Sequence, residues 1–293
     1  MSLLLWVGCV APAVPVADTG AQAVHADGLD ADRFDRRAGG VSGWPASRKS
    51  TQIGGALSAL YEPNGAWWHP DLGMLLLVSD EGVVSHMNLD GTGLVDWTFS
   101  GDYEAVTVAD STSDYAYVGV ERPDSIVELD LATGTLTGRS WPLDAWMASA
   151  DPNLGLEALT FVPDSAHPYA AGSSGGLFYA GLQATGDIYV FDVDLSTSGT
   201  VTHVDTLVTG RTDISDLYFH AESGVLYALF DTDNVLREMT PAGATLAEYQ
   251  VPGTEQEGIT LVPGCPHTST TLVIAEDAGP SVKTYARYPV VCG

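Results

Sequence analysis

The amino-acid sequence predicts an all-β chain folded as a five-bladed β-propeller of four-stranded antiparallel blades. Three observations predict it: apolar runs of strand length, glycine-centred turns between them, and a polar tetrad that recurs five times. The runs Leu75-Leu76-Leu77-Val78, Ala116-Tyr117-Val118-Gly119-Val120 and Leu226-Tyr227-Ala228-Leu229-Phe230 are rich in β-formers. Asp90-Gly91, Thr133-Gly134, Ser198-Gly199 and Ala242-Gly243 punctuate the pattern as hairpin turns. Helical periodicity is confined to one short stretch near Asp144 to Ala150.

Each unit opens on a tetrad: Glu62-Pro63-Asn64-Gly65, Asp102-Tyr103-Glu104-Ala105, Gly155-Leu156-Glu157-Ala158, Asp213-Ile214-Ser215-Asp216 and Glu255-Gln256-Glu257-Gly258. These starts lie 40, 53, 58 and 42 residues apart, the spacing of propeller blades. A first strand follows each tetrad. The second strand is expected to end at Asp80, Glu121, Gln183, Asp231 or Glu276. Third strands read as Ser125 to Leu129 and Asp187 to Phe191, and a glycine turn leads to the fourth. The fifth unit runs out near Tyr288 after three strands. The segment Thr51 to Leu60 would supply the missing outer strand and close the ring. A β-sandwich is the competing architecture, and it leaves the five similar openings unexplained.

At 293 residues and 45% hydrophobic content, the chain can build one large β domain. The expected organisation is a lipoprotein signal remnant over 1–9, an Ala/Gly/Pro-rich acidic tether over 10–50, and the propeller over 51–293. Leu3 to Gly8 before Cys9 has the small-residue ending of a lipoprotein signal, though no basic residue precedes it. Cys9 is therefore the expected lipidation site. Export places Cys265 and Cys292 where they can pair as a disulfide; two unpaired thiols are the alternative. The expected location is a lipid-anchored outer surface, the periplasm or the medium.

Charge narrows the partners. Thirty-eight acidic residues against 11 basic ones give a formal net charge of -27, a field that repels nucleic acid and anionic membrane surfaces. Membrane contact is expected only through a lipid anchor, and the domain is expected to be a monomer. Part of this charge fits a solubilising, salt-adapted surface.

The rest has a pattern. In a blade, the start of strand one and the end of strand two lie at the same face of the disc, because the two strands form a hairpin. Tetrad positions one and three and the strand-two terminus should thus meet at one mouth. Eleven of these fifteen positions are carboxylates: Glu62, Asp102, Asp213, Glu255, Glu104, Glu157, Glu257, Asp80, Glu121, Asp231 and Glu276. The overall acid content predicts about two. Unit charges 4 Å apart repel by about 4 kcal/mol at an effective dielectric near 20. Such acids must protonate, stay solvated and apart while capping loop amides, or bind a cation. Mixed oxygen ligands suit Ca²⁺, whereas no His or Cys pair has zinc-ligand spacing. These acids are the expected calcium ligands. Asp231-Thr232-Asp233-Asn234 resembles the start of an EF-hand loop but lacks its later Gly and Glu, so it reads as a turn.

The tetrads with their strand-two endings Val78-Ser79-Asp80-Glu81-Gly82 and Ala275-Glu276-Asp277 resemble the SdiA-regulated (YjiK-like) family of bacterial propellers, distantly similar to NHL-repeat proteins. The resemblance covers residues from about 55 to 288 and implies a five-bladed propeller with bound calcium and no established activity. Ala105, Ala158 and Gly155 depart from its pattern, and a Gly/Ser-rich insertion near Gly172 to Gly176 puts blade three in doubt as a metal contributor.

Two functions follow. One is a calcium-rigidified binding module for a protein or glycan, using turn-rich loops, with Trp67, Trp68, Trp141 and Trp146 as candidate contacts, though tryptophans in blades more often pack between sheets; this is the expected role. The alternative is a calcium-dependent hydrolase, phytase-like or lactonase-like, with its site at the acidic mouth. Phosphate recognition usually needs Arg or Lys, and only Arg122 and Arg211 fall near that mouth. The string Gly172-Ser173-Ser174-Gly175-Gly176 fits a nucleophile elbow literally, but strand sequence follows it where an elbow requires a helix. It reads as a loop, and catalytic residues are not assigned.

Overall fold

A computed structural model describes residues 40–292. The expected signal remnant, Cys9 and residues 10–39 of the expected tether lie outside the described residues. The described chain forms five separate four-stranded antiparallel sheets. No sheet packs as one half of a sandwich; each is a blade.

The chain enters with strand β1 (Ser50–Gln52). Blade one is β2 (Pro63–His69), β3 (Met74–Ser79), β4 (Val83–Met87) and β5 (Val95–Thr98), and blade two is β6 (Asp102–Thr107), β7 (Tyr115–Glu121), β8 (Ser125–Asp130) and β9 (Thr135–Pro142). A single helical turn, α1 (Asp144–Met147), connects to blade three: β10 (Leu156–Pro163), β11 (Gly176–Leu182), β12 (Asp187–Val193) and β13 (Val201–Leu207). Blade four is β14 (Ile214–His220), β15 (Val225–Phe230), β16 (Val235–Met239) and β17 (Thr245–Gln250). Blade five is β18 (Gln256–Leu261), β19 (Ser269–Glu276) and β20 (Ser281–Pro289), with β1 as its outer strand.

Ring closure is therefore a pairing of the two ends of the described chain, with Gln52 opposite Lys283. The Gln52 side chain locks it, because its Oε1 accepts from the amides of Val282 at 2.9 Å and Ile53 at 3.1 Å. Residues 40–49 also pack on the propeller. Ser42 bridges Tyr249 in parallel, and Trp44 lies edge-on to Tyr285 at 5.3 Å. Ordered packing thus begins before residue 51, where apolar alternation first becomes visible in the sequence.

The core is divided among five apolar clusters, each between two neighbouring blades. Tyr117, Ile126 and Trp141 of blade two meet Leu159, Phe178 and Phe191 of blade three. Tyr227, Leu229 and Leu236 of blade four meet Ile259, Leu272 and Tyr285 of blade five. Fully burying such side chains contributes about 1.5–3 kcal/mol each. Trp141 is fully buried, its indole N–H donating to the Asp194 carbonyl at 3.0 Å, while Trp67, Trp68 and Trp146 are partly buried against these clusters. None stands free as a contact surface. The Gly172–Gly176 string runs straight into β11, and the Ser173 hydroxyl donates to Asp192 at 2.9 Å; it is a loop. No helix among the described residues is long and apolar enough to cross a membrane. Cys265 and Cys292 form a disulfide with Cα atoms 5.7 Å apart.

Candidate functional site

The innermost strands β2, β6, β10, β14 and β18 line the central channel. Each carries a register break at the same place: between Pro63 and Gly65, Tyr103 and Ala105, Leu156 and Ala158, Ile214 and Asp216, and Gln256 and Gly258. The residue left out of the ladder is Asn64, Glu104, Glu157, Ser215 or Glu257, the third tetrad position every time. A β-bulge leaves its extra residue unpaired and re-aims its side chain. Five bulges at one level thus build a ring of side chains at one mouth.

The ring is knitted across blades. Asn64 donates from Nδ2 to Glu104 Oε2 at 2.6 Å, and Ser215 donates to the Gln256 carbonyl at 2.7 Å. Burial pushes the Glu104 carboxyl up to about 8; the Asn64 hydrogen bond opposes this, and Glu121, Asp80 and Asp277 add to it. Burial likewise holds Glu157 well above the carboxylate range, with Glu104 and Glu257 adding repulsion. Glu257 is raised by burial and then by Asp231, Asp213, Asp277 and Glu104. The ring acids face one another, and Glu157 of blade three is among them. The insertion that cast doubt on that blade lies at the far end of β10.

A second tier surrounds the ring. The residue following each strand-two partner of tetrad position two is Asp80, Glu121, Gln183, Asp231 or Asp277. The sequence reading placed Glu276 in this tier, one residue early. Glu276 pairs with Gln256 in the ladder and turns the other way, to Lys283 and to Ser281 at 2.9 Å. A one-residue shift in a strand moves a side chain to the opposite face, so Asp277 takes the place at the mouth. Burial, then Glu81 and Glu62, push Asp80 up to about 6.

Other tier acids brace the mouth. Glu121 accepts from the Gly155 amide at 2.7 Å and Asp231 from the Gln256 amide at 2.9 Å, each linking one blade to the next. Asp213 accepts from the Thr232 amide at 3.0 Å. Asp102 pairs with Arg122, which also lies 3.2 Å from Glu121. Glu62 feels Asp277 and Glu81, which raise its carboxyl, and Glu255 is exposed at the rim. Two acidic groups have ligand atoms all within 4.8 Å: Glu62, Asp80 and Glu81, and Asp102, Glu104 and Glu121. Such clusters can coordinate a divalent cation. Arg122 already compensates the second group. Arg211 is engaged elsewhere, by Glu248 at 2.9 and 3.0 Å and by Asp233.

The donor set fits a hard cation on a further observation. Asn64 Oδ1, Asp80 Oδ1, Gln183 Oε1, Glu257 Oε2 and Asp277 Oδ1 are buried without a hydrogen-bond partner. These five are oxygens of the ring or the tier; other buried atoms without a partner, among them Tyr61 Oη, His69 Nε2 and Glu276 Oε1, belong to neither. Buried polar atoms are ordinarily satisfied, and an oxygen-only set matches calcium or magnesium better than zinc. Glu81, Asp277 and the fully buried Asp216 were missed in sequence. The glycines at the fourth tetrad position, Gly65 and Gly258, were the available hint of a bulge.

The family model described as "Phytase-like: Esterase-like activity of phytase" matches residues 71–260, from the turn before β3 to the penultimate residue of β18. No curated protein matches the chain. Among solved structures, the glutaminyl cyclase of Myxococcus xanthus is similar over 85% of this chain and 100% of its own, at 13% identity and a TM-score of 0.56; that likeness shows a shared propeller fold. The family match overturns the SdiA-regulated, NHL-like assignment. The acid-gap-Glu-Gly tetrad that suggested it is the local sequence of a channel bulge, which propellers of different families can share. With the match spanning well over half its length, the chain belongs to the phytase-like family of β-propellers, whose description carries esterase-like activity.

Proposed function

We propose that the protein is a divalent-cation-dependent hydrolase of esterase type, with its site at the acidic mouth and Ca²⁺ as the cation. One observation carries this reading: the ring and its tier hold five buried oxygens without partners, beside carboxyls whose mutual repulsion a cation would relieve. The family's esterase-like description favours catalysis over the binding module expected from sequence. The disulfide fits an exported protein.

Glu62, Asp80 and Glu81, or Asp102, Glu104 and Glu121, would hold the ion, since the ligand atoms of each group lie within 4.8 Å of one another. Asn64, bonded to Glu104, and Asp277 and Glu257, which bear on these acids electrostatically, flank them. When bound, a cation of this kind polarises an ester carbonyl and acidifies a bound water. Arg122 is half-exposed and held by Asp102 and Glu121, so it orients the rim without offering a free charge.

The test is a panel of p-nitrophenyl carboxylic esters, lactones, p-nitrophenyl phosphate and phytate, run after EGTA treatment and again with Ca²⁺ restored. Ester turnover that requires Ca²⁺, with kcat/KM at least about 100-fold lower in Glu257→Gln, is expected. A Ca²⁺-dependent rise in Tm without turnover of any substrate would replace the hydrolase with the binding module.

A further inference from the structure

Asp216 belongs to neither the ring nor the tier. It sits one residue beyond the bulge of β14, fully buried, and its carboxylate is saturated with backbone donors. Oδ2 accepts from the Ile259 amide at 2.7 Å and Oδ1 from the Leu217 amide at 2.8 Å; burial holds the carboxyl well above its usual range, and the amides of Ile259, Leu217 and, more weakly, nearby Ala66 oppose that. Ile259 lies on β18, the inner strand beside β14, and Ala66 lies on β2, the next one round. A side chain on β14 reaches both only through the channel.

The three donors are equivalent. Ala66, Leu217 and Ile259 each stand two residues beyond a bulged residue, respectively Asn64, Ser215 and Glu257. Alternate amides of an inner strand point away from its ladder, and where Ala66, Leu217 and Ile259 are buried each needs an acceptor. The layer two residues deeper is satisfied differently. There the amides of Trp68, Phe161 and Phe219 are accepted by the hydroxyls of Thr260, Thr107 and Thr160 on the preceding inner strand. Those bonds join strands pairwise. The Asp216 layer joins three strands at one carboxylate, directly beneath their bulges.

The contact is also sterically close. A Cβ at Gly258 would lie 3.0 Å from the Ala66 amide nitrogen, so β18 and β2 approach each other where Asp216 collects them. We infer that Asp216 is a positioning residue for the mouth: it fixes the three inner strands that carry Asn64, Ser215 and Glu257, and so holds that side of the ring in cation-binding geometry. This inference rests on the reading of the mouth as a cation site. Asp216 touches no substrate and no ion; it acts through the strands.

The experiment uses the full chain with its disulfide intact. Ca²⁺ affinity is measured by calorimetry, and the number of waters on bound Tb³⁺ by luminescence lifetimes in H₂O and D₂O, both well below Tm. Asp216→Ala is expected to weaken Ca²⁺ binding about 10- to 100-fold and to admit at least about one more water to bound Tb³⁺. Asp216→Asn keeps a carbonyl oxygen for Ile259 and should fall between; it also serves if the alanine variant does not fold. Thr260→Val removes a comparable acceptor one layer deeper. It should lower Tm while leaving Ca²⁺ affinity and Tb³⁺ hydration as in the wild type. Asp216 variants that lose Tm but keep affinity and hydration would overturn the inference and leave the cation reading standing. A wild-type chain that binds neither ion would overturn both.

Discussion

Asn64 and Ser215 stand where the other inner strands carry Glu104, Glu157 and Glu257, yet all five are the residue their strand leaves out of the ladder. What they share is backbone geometry, and small neighbours make it possible. A Cβ at Gly258 would meet Ala275 Cβ at 2.9 Å and Ala66 Cβ at 3.1 Å. Gly258→Ala should therefore destabilise the fold by about 1–3 kcal/mol, the usual cost of overpacking, read as a lower urea midpoint. An unchanged midpoint would mean that β2 and β18 can spread, and that the tight bulge is not required. At this scale the sequence was partly legible. The third-position acids were visible because their type is unusual in a first strand. Asn64 and Ser215 fall at the same third position and were expected at the mouth as oxygen-bearing exceptions, but nothing in their residue type marked the bulge they share with the three glutamates. Glu276 and Asp277 are adjacent acids of the same charge, and only the register separates the one that turns to Lys283 from the one at the mouth.

Among the elements, blade five depends on pieces remote in sequence. Its outer strand β1 comes from the opposite end of the described chain, and its far loop is tied by the Cys265–Cys292 disulfide across a separation of 27 residues. Loop-closure entropy assigns a bridge of that span about 3–4 kcal/mol. A Cys265→Ser, Cys292→Ser double variant should lose stability on that order while keeping Ca²⁺ affinity, because the bridge lies at the end of the disc away from the mouth. Calorimetric Tm and calcium titration check the two halves separately; loss of affinity would show that the ends of the blade are mechanically coupled. Strand positions followed from apolar run lengths and glycine turns, and the borrowed outer strand from the missing fourth strand of blade five. The part that pairs is only Ser50–Gln52, against the expected Thr51 to Leu60, because a 3-10 turn at Gly54–Ala56 ends it. The expected helix near Asp144 to Ala150 is one turn, Asp144–Met147. The Asp90-Gly91 and Thr133-Gly134 turns carry glycine φ values of +81° and +64°, a conformation costly for other residues. The packing of residues 40–49 was not legible, because Trp44 has no periodic partner in its own segment.

For the whole molecule, the mouth sets a pH dependence. The Glu104 carboxyl is raised from 4.5 to about 8 and that of Asp80 from 3.8 to about 6. A raised carboxyl means that the metal-free fold holds protons the unfolded chain has released. The stability these two groups contribute is then fully present below about pH 4 and is lost as pH rises through about 6 and 8. EGTA-treated protein should show a Tm that falls between about pH 5 and 8.5, and Ca²⁺ should remove most of that slope. A metal-free Tm that climbs over the same range would mean that the mouth acids are solvated and ionised.

The sequence determined the five repeats, the ring closure and the excess of acids at blade openings. Each of these is written in local pattern: strand-length apolar runs, turn residues, and spacing along one chain. Tertiary structure alone decided which of those acids face one another, since a single-residue bulge redirects a side chain without altering the hydrophobic alternation around it. It also decided the role of Asp216, whose donors Ala66, Leu217 and Ile259 are amides, present at nearly every position and therefore invisible to any reading of residue types.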